Sequence, residues 1–69
     1  MDSSVDVKAL GEKFRTAREE QNLTQLQVAK KAGIHVNYYA RIERGGPTAR
    51  WNVINNIAKA LDLKLKFPL

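Results

Sequence analysis

Few side chains in this sequence are able to carry out catalysis. It contains no cysteine and a single histidine, His35, and no nucleophile stands at a workable spacing from a base. A lone histidine without a second ligand does not make a metal site, and Gly45-Gly46 is a turn rather than a loop that cradles phosphate. The sequence therefore predicts that the protein is not an enzyme and that it uses no metal or other cofactor.

The remaining chemistry is that of positive charge. Twelve lysines and arginines stand against seven acidic residues, which gives a formal net charge of +5. Such an excess attracts polyanions, so nucleic acid is the first partner to consider, and a merely solvated basic surface is the alternative. The absence of cysteine fits a reducing compartment, and no leader-like or membrane-spanning apolar stretch is present. We therefore expect a cytoplasmic protein that has no membrane partner.

Apolar residues at helical spacing organise the chain into one domain, residues 1–69, with its core in residues 7–61. Stripes of apolar residues at intervals of three and four predict helices at Val7–Gln21, Gln25–Ala32, Val36–Arg44 and Arg50–Leu61. Only three residues, including Gly33, separate the second helix from the third, which is the helix-turn-helix arrangement. The fold class is predicted to be all-α.

The segments Leu23–Ile34 and Tyr39–Gly45 resemble the helix-turn-helix of the phage repressor and Cro-like regulators, the xenobiotic-response-element type. Phe14–Arg18 and Ile57–Leu61 fall at the distances that this family shows, without gaps. The resemblance implies a lambda-repressor-like domain of four to five helices with the helix-turn-helix at helices 2 and 3. It also implies a homodimeric transcriptional regulator, expected to be a repressor, that binds double-stranded DNA sequence-specifically and is associated with the nucleoid through that DNA.

The resemblance also implies which residues contact the bases. The third helix would enter the major groove and present Val36, Asn37, Tyr38 and Arg41. Asn37 can pair with adenine through two hydrogen bonds, Arg41 can pair with guanine in the same way, and Val36 can touch a thymine methyl group. Tyr38 can reach a base edge or a phosphate, or it can pack its ring on the protein.

Other positions match residues that hold the DNA backbone or the fold. The predicted phosphate contacts are Thr24, Gln25, His35 and Arg44. Arg18 and Glu43 match a pair that forms a buried ion pair between the first and third helices, and their role would be structural. Tyr39 stands where relatives carry Ile or Leu, so it should point inward.

The end of the chain changes its pattern. Leu63, Leu65 and Phe67 alternate with lysines as in a half-buried strand, and a strand without a partner in its own chain can pair with the same strand of a second copy. We therefore predict a dimerisation strand within residues 62–69, with a tail laid over its own helices as the alternative. The tail resembles that of helix-turn-helix antitoxins. A second functional hypothesis is thus an antitoxin or adaptor that grips a toxin or another protein, with Trp51 in the interface.

Overall fold

The computed structural model describes residues 7–46 and 49–63, and this part of the chain contains four helices and no strand. They are α1 (Val7–Glu20), α2 (Gln25–Ala32), α3 (Val36–Glu43) and α4 (Trp51–Ala60). The all-α prediction is confirmed. Helices α1 and α3 end one residue before the predicted ends, and α4 is one residue shorter at each end, because the predicted boundary residues lie in caps or turns: Gln21, Arg44, Arg50 and Leu61.

A single apolar core joins the helices. Helix α1 packs on α3, and α2 packs on both α3 and α4, so α3 is held between two neighbours. The Phe14 ring from α1 and the Tyr39 ring from α3 are the largest side chains that are completely buried. The remaining core residues are Leu10, Ala17, Val28, Ala29, Ala32, Ile42, Ile54, Ile57, Ala58 and Leu61.

Each helix ends in the same way. Within two residues of the end of each helix, the chain contains one residue in a left-handed conformation with φ between 56° and 75°. These residues are Asn22, Gly33, Gly45 and Asp62. The next residue then donates its N–H to the carbonyl five positions earlier, over 2.8 to 3.1 Å: Leu23 to Arg18, Ile34 to Ala29, Gly46 to Arg41, and Leu63 to Ala58. This is the Schellman motif, which satisfies carbonyls that the end of a helix leaves without partners.

An apolar residue follows the left-handed residue at three of the four ends. Leu23, Ile34 and Leu63 are half-buried and pack against the core, as the residue after a Schellman turn often does. The cap of α4 thus turns the Leu63 side chain onto its own domain, and the role of Leu63 in a dimerisation strand stays a prediction. Leu65 and Phe67, which were predicted to continue that strand, lie outside the described residues.

Helix α1 lies directly against the backbone of α3 at Gly11. A Cβ atom at this position would overlap the carbonyl oxygens of Ile42 and Glu43. These oxygens belong to the backbone of α3, which cannot move aside as the tip of a flexible side chain can. Gly11 therefore determines how close α1 lies to the end of α3, although glycine is a poor helix former.

Replacing Gly11 tests this packing. Alanine stabilises an exposed helix by about 1 kcal/mol relative to glycine, but overpacking costs roughly 1–3 kcal/mol. We expect Gly11→Ala to lower the free energy of unfolding, measured by urea denaturation. Thr16→Ala on the exposed side of α1 is the control and should leave stability equal or slightly higher. A Gly11→Ala variant more stable than the parent would contradict the close approach of the two helices.

Candidate nucleic-acid interface

The turn between α2 and α3 sets the direction of α3. Gly33 adopts φ 73° and ψ 31°, a conformation that glycine reaches without steric cost. His35 then caps α3, because its Nδ1 atom accepts the backbone N–H of Asn37 at 3.1 Å. A neutral imidazole whose Nδ1 accepts carries its proton on Nε2, so the outer nitrogen of His35 is a hydrogen-bond donor.

Helix α3 has one face in the core and one face in solvent. Tyr39, Ile42 and Glu43 are buried, whereas Asn37, Arg41 and Arg44 are exposed. The exposed residues follow one another at intervals of four and three, which places them along one side of the helix. The exposed face of α3 therefore presents an amide and two guanidinium groups in a row.

Val36 and Tyr38 occupy an intermediate position. Both are half-buried and pack against the edge of the core, so each presents only part of its side chain to solvent. Tyr39 is completely buried, which confirms that the second of the two adjacent tyrosines points inward. The Tyr38 ring is thus partly available at the surface, whereas the Tyr39 ring stabilises the fold.

The start of α2 lies in a strong cap. The Thr24 Oγ1 atom accepts the N–H of Gln27 at 3.1 Å, and the Gln27 side chain accepts the N–H of Thr24 at 2.8 Å. This capping box leaves the hydroxyl proton of Thr24 free to donate. The first turn of a helix also carries N–H groups without intrahelical acceptors and a partial positive charge, which together favour a phosphate.

The buried Glu43 carboxylate joins three helices. Arg18 of α1 donates to both of its oxygens, at 2.7 and 3.2 Å, and Gln25 of α2 donates to Oε1 at 3.0 Å. Arg18 also donates to the Leu23 carbonyl at 3.0 Å. We call Arg18, Gln25 and Glu43 the Glu43 clamp. The clamp fixes the end of α3 relative to α1 and to the start of α2.

The clamp also sets the charge state of its members. Burial by itself raises the pKa of Glu43, but the hydrogen bonds that it accepts outweigh burial and hold that pKa below its ordinary value. The hydrogen bond to Glu43 raises the pKa of Arg18. Burial raises the pKa of Tyr39, whose hydroxyl lies near Glu43 without the geometry of a hydrogen bond to any partner. Glu43 is therefore an anion and Tyr39 is neutral at physiological pH.

Sequence reasoning missed two roles of glutamine. It assigned Gln25 to phosphate alone, whereas one of its amide N–H groups is engaged by Glu43, which leaves the other N–H and the amide oxygen for DNA. It assigned no role to Gln21, which donates to the Leu61 carbonyl at 2.8 Å and thereby ties the end of α1 to the end of α4. No spacing signal marks either contact, because each joins residues far apart in the chain.

Positive charge dominates the surface of the helix-turn-helix. Between Thr24 and Gly46 the sequence contains a single acidic residue, Glu43, and the clamp buries it. The basic residues of this segment are all exposed: Lys30, Lys31, Arg41 and Arg44. No exposed carboxylate of residues 24–46 therefore offsets the positive charge of α2 and α3, and the exposed acidic side chains nearest to Arg44, Glu12 and Glu19, belong to α1.

Comparison with known proteins identifies this arrangement. Residues 9–65 match the family described as a helix-turn-helix domain. The chain belongs to that family. Membership confirms the resemblance to phage repressor and Cro-like regulators, and it makes this helix-turn-helix protein a DNA-binding transcription regulator of a non-enzymatic family.

A solved structure agrees with this assignment. The restriction-modification controller protein C.AhdI from Aeromonas hydrophila is 29% identical and superposes with a TM-score of 0.81. The match covers 86% of this chain and 89% of the controller protein. No curated protein matches the sequence.

Within residues 7–46 and 49–63, no helix is both long and apolar enough to cross a bilayer, and no group of three or more acidic, histidine or cysteine side chains is placed to hold a metal ion.

The Glu43 clamp predicts a dependence of stability on pH. The pKa of Glu43 is lower in the folded protein than its ordinary value of 4.5. Its contribution to stability is therefore complete above about that pH and is lost as the pH falls through the folded pKa. Glu43→Gln should cost about 3 kcal/mol at neutral pH, because it leaves Arg18 largely buried without its charge partner. Urea unfolding from pH 7 to pH 3 should show a smaller pH dependence in the variant.

Glu19→Gln is the matched control. It removes an exposed carboxylate from the surface pair with Arg15, in which both side chains are more than half exposed, and such pairs contribute little. Equal losses of stability in the Glu19 and Glu43 variants would show that the clamp does not stabilise the fold.

Proposed function

We propose that this helix-turn-helix protein is a sequence-specific repressor that binds duplex DNA as a homodimer in the cytoplasm, on the nucleoid. Each copy would place α3 in a major groove, which is wide enough to admit a helix. The observation that carries the proposal is the exposed row of Asn37, Arg41 and Arg44 on α3, on a surface where the segment's single carboxylate is buried.

Two residues of this row, Asn37 and Arg41, read bases in our proposal. Asn37 and Arg41 lie one helical turn apart and are both exposed, and their side chains make paired hydrogen bonds with adenine and guanine respectively. Val36 and Tyr38 flank them with half-buried side chains, whose exposed parts suit contact with a thymine methyl group or a sugar. Asn37 and Arg41 therefore contribute most of the discrimination.

Residues around the row hold phosphates. Thr24 and Gln25 offer a hydroxyl and an amide at the start of α2, where the helix dipole favours an anion. His35 offers its Nε2 donor from the cap of α3, and Arg44 offers its guanidinium group from the other end. These contacts would position α3 in the groove without reading sequence.

Base and phosphate contacts have distinct expected signatures. Arg41→Ala should weaken binding to an operator selected from random DNA by roughly 5- to 150-fold, and it should relax the sequence preference of the protein. Arg44→Ala should weaken binding to operator and to scrambled DNA alike, and it should reduce the slope of log affinity against log salt by about 1. Fluorescence anisotropy titrations at several salt concentrations measure both quantities.

Lys59→Ala is the control for loss of charge, since Lys59 is an exposed basic residue of α4 outside the helix-turn-helix. It should leave operator preference unchanged. If Arg41→Ala and Lys59→Ala reduce affinity equally on both DNAs, the base-reading role of α3 is wrong.

A homodimer predicts a symmetric operator. Two copies of α3 entering successive major grooves require half-sites about 34–36 Å apart, which is about 10–10.5 base pairs. DNA selected from a random library should therefore contain an inverted repeat of this spacing, and sedimentation of the complex should show two chains per duplex. An asymmetric single site bound by one chain would contradict the dimer. If the operator overlaps a promoter, binding should repress transcription. A reporter assay measures whether transcription falls or rises when the protein is present.

Two exposed apolar side chains favour a second candidate function, in which the domain binds a partner protein. Leu26 and Trp51 are both 50% exposed, so each offers apolar surface that a partner protein would cover. The antitoxin prediction also used residues 63–67, of which the structure describes Leu63 alone. A partner retained in pull-downs by a double Asn37→Ala and Arg41→Ala variant would favour this function if the parent protein selected no operator.

A further inference from the structure

An open cleft of about 480 Å³ lies between the first helix and the helix-turn-helix. We call it the α1 cleft. Gln25 lines it from the start of α2 and Arg44 lines it from the end of α3. The opposite wall belongs to α1 and consists of charged side chains: Lys8, Glu12, Arg15 and Glu19. The cleft therefore brings α1 beside two residues that hold phosphates in the proposed function.

The charged wall is a single stripe of α1. Lys8, Glu12, Arg15 and Glu19 follow one another at intervals of four, three and four, which places them along one side of the helix. All four are exposed, and their charges alternate in sign. Other charged residues of α1, such as Lys13 and Glu20, lie on a different side of the helix and line a separate groove.

Two contacts fix the position of Arg15 along the cleft. At one end, the backbone of Lys8 lies against Gly45, just beyond α3. At the other end, Arg18 donates to the Leu23 carbonyl, just before α2 begins. Arg15 lies between these two points on the same helix. Its guanidinium group is therefore on the wall that spans the distance from the end of α3 to the start of α2.

Arg15 is also the cation of this wall that has a weakly held partner. Its Nε atom lies 3.4 Å from a carboxylate oxygen of Glu19, and both side chains are more than half exposed. Such a surface pair contributes little to stability, so Arg15 can leave Glu19 at small cost. Arg18, by contrast, is engaged by the buried Glu43. A guanidinium group binds a phosphate through two parallel hydrogen bonds, which an exposed carboxylate in water does not outweigh.

We infer that Arg15 is a further phosphate contact of the DNA interface and that Glu19 competes with DNA for it; this inference rests on the proposed function. A DNA backbone that contacts both Gln25 and Arg44 passes the mouth of the α1 cleft, where Arg15 meets a phosphate of the duplex. The interface thus extends from the helix-turn-helix onto α1. The Arg15–Glu19 pair sets how tightly that part of the backbone is held, without reading sequence.

Two substitutions of opposite sign test the inference in the full chain. Arg15→Ala removes the proposed contact, and Glu19→Gln removes its competitor. Lys13→Ala and Glu20→Gln are the matched controls, because they make the same changes of charge on exposed residues of α1 outside the cleft. Urea denaturation confirms that all four variants remain folded. Fluorescence anisotropy measures their binding to an operator selected from random DNA and to scrambled duplex of the same length.

Arg15→Ala should weaken binding to both DNAs, by roughly threefold or more relative to Lys13→Ala. Each phosphate contact contributes about 0.9 to the slope of log affinity against log salt, so the advantage of the parent over Arg15→Ala should fall roughly threefold when salt is raised about fourfold. Glu19→Gln should strengthen binding to both DNAs by roughly 2- to 5-fold relative to Glu20→Gln, which is the range of an exposed ion pair.

Either substitution can overturn the inference. If Arg15→Ala has the affinity and salt slope of Lys13→Ala, Arg15 does not contact a phosphate. If Glu19→Gln binds no more tightly than Glu20→Gln, Glu19 does not compete with DNA. Arg41→Ala in the same titrations separates this inference from the proposed function. A loss of sequence preference in Arg41→Ala, with Arg15→Ala equal to its control, overturns the α1 contact alone, whereas an unchanged preference in Arg41→Ala overturns base reading by α3.

Discussion

A buried carboxylate determines the orientation of the helix that faces DNA. Glu43 is the last residue of α3, where the helix dipole is already negative, and its side chain is 3% exposed. Such a group is unfavourable unless donors surround it. Arg18 from α1 and Gln25 from α2 supply those donors. Because an unpaired Glu43 would be unfavourable, its hydrogen bonds hold three helices in one arrangement. That arrangement turns the opposite face of α3 toward solvent.

The helix ends make this arrangement possible in a chain of 69 residues. Four Schellman turns reverse the chain within a few residues and satisfy carbonyls that would otherwise need water. At three of these turns an apolar residue returns to the core, so the connections add to the buried surface. Gly11 allows α1 to lie against the backbone of α3. Short turns and close helix contacts therefore contribute stability in a domain whose size limits its apolar core.

The residues that stabilise α3 are separate from those that face solvent. Tyr39, Ile42 and Glu43 are buried, whereas Asn37 and Arg41 are exposed. Because the two sets share a helix but not a face, the exposed residues can change with little cost in packing. The same division explains the charge of the surface: the one carboxylate of the segment is used inside, and the basic side chains remain outside.

The sequence by itself determined the four helices, the turn at Gly33 and the excess of positive charge, because each depends on local spacing or on composition. Its resemblance to a known family also indicated that Tyr39 points inward. The tertiary structure decided that Gln25 binds Glu43, that Gly11 touches the backbone of α3 and that Leu63 caps α4. Hydrogen bonds and close contacts between residues far apart in the chain leave no periodic signal. The alternation that begins at Leu63 predicts a strand, and that stays a prediction; the tertiary structure decided where the Leu63 side chain points, because the left-handed Asp62 reverses the chain onto the core.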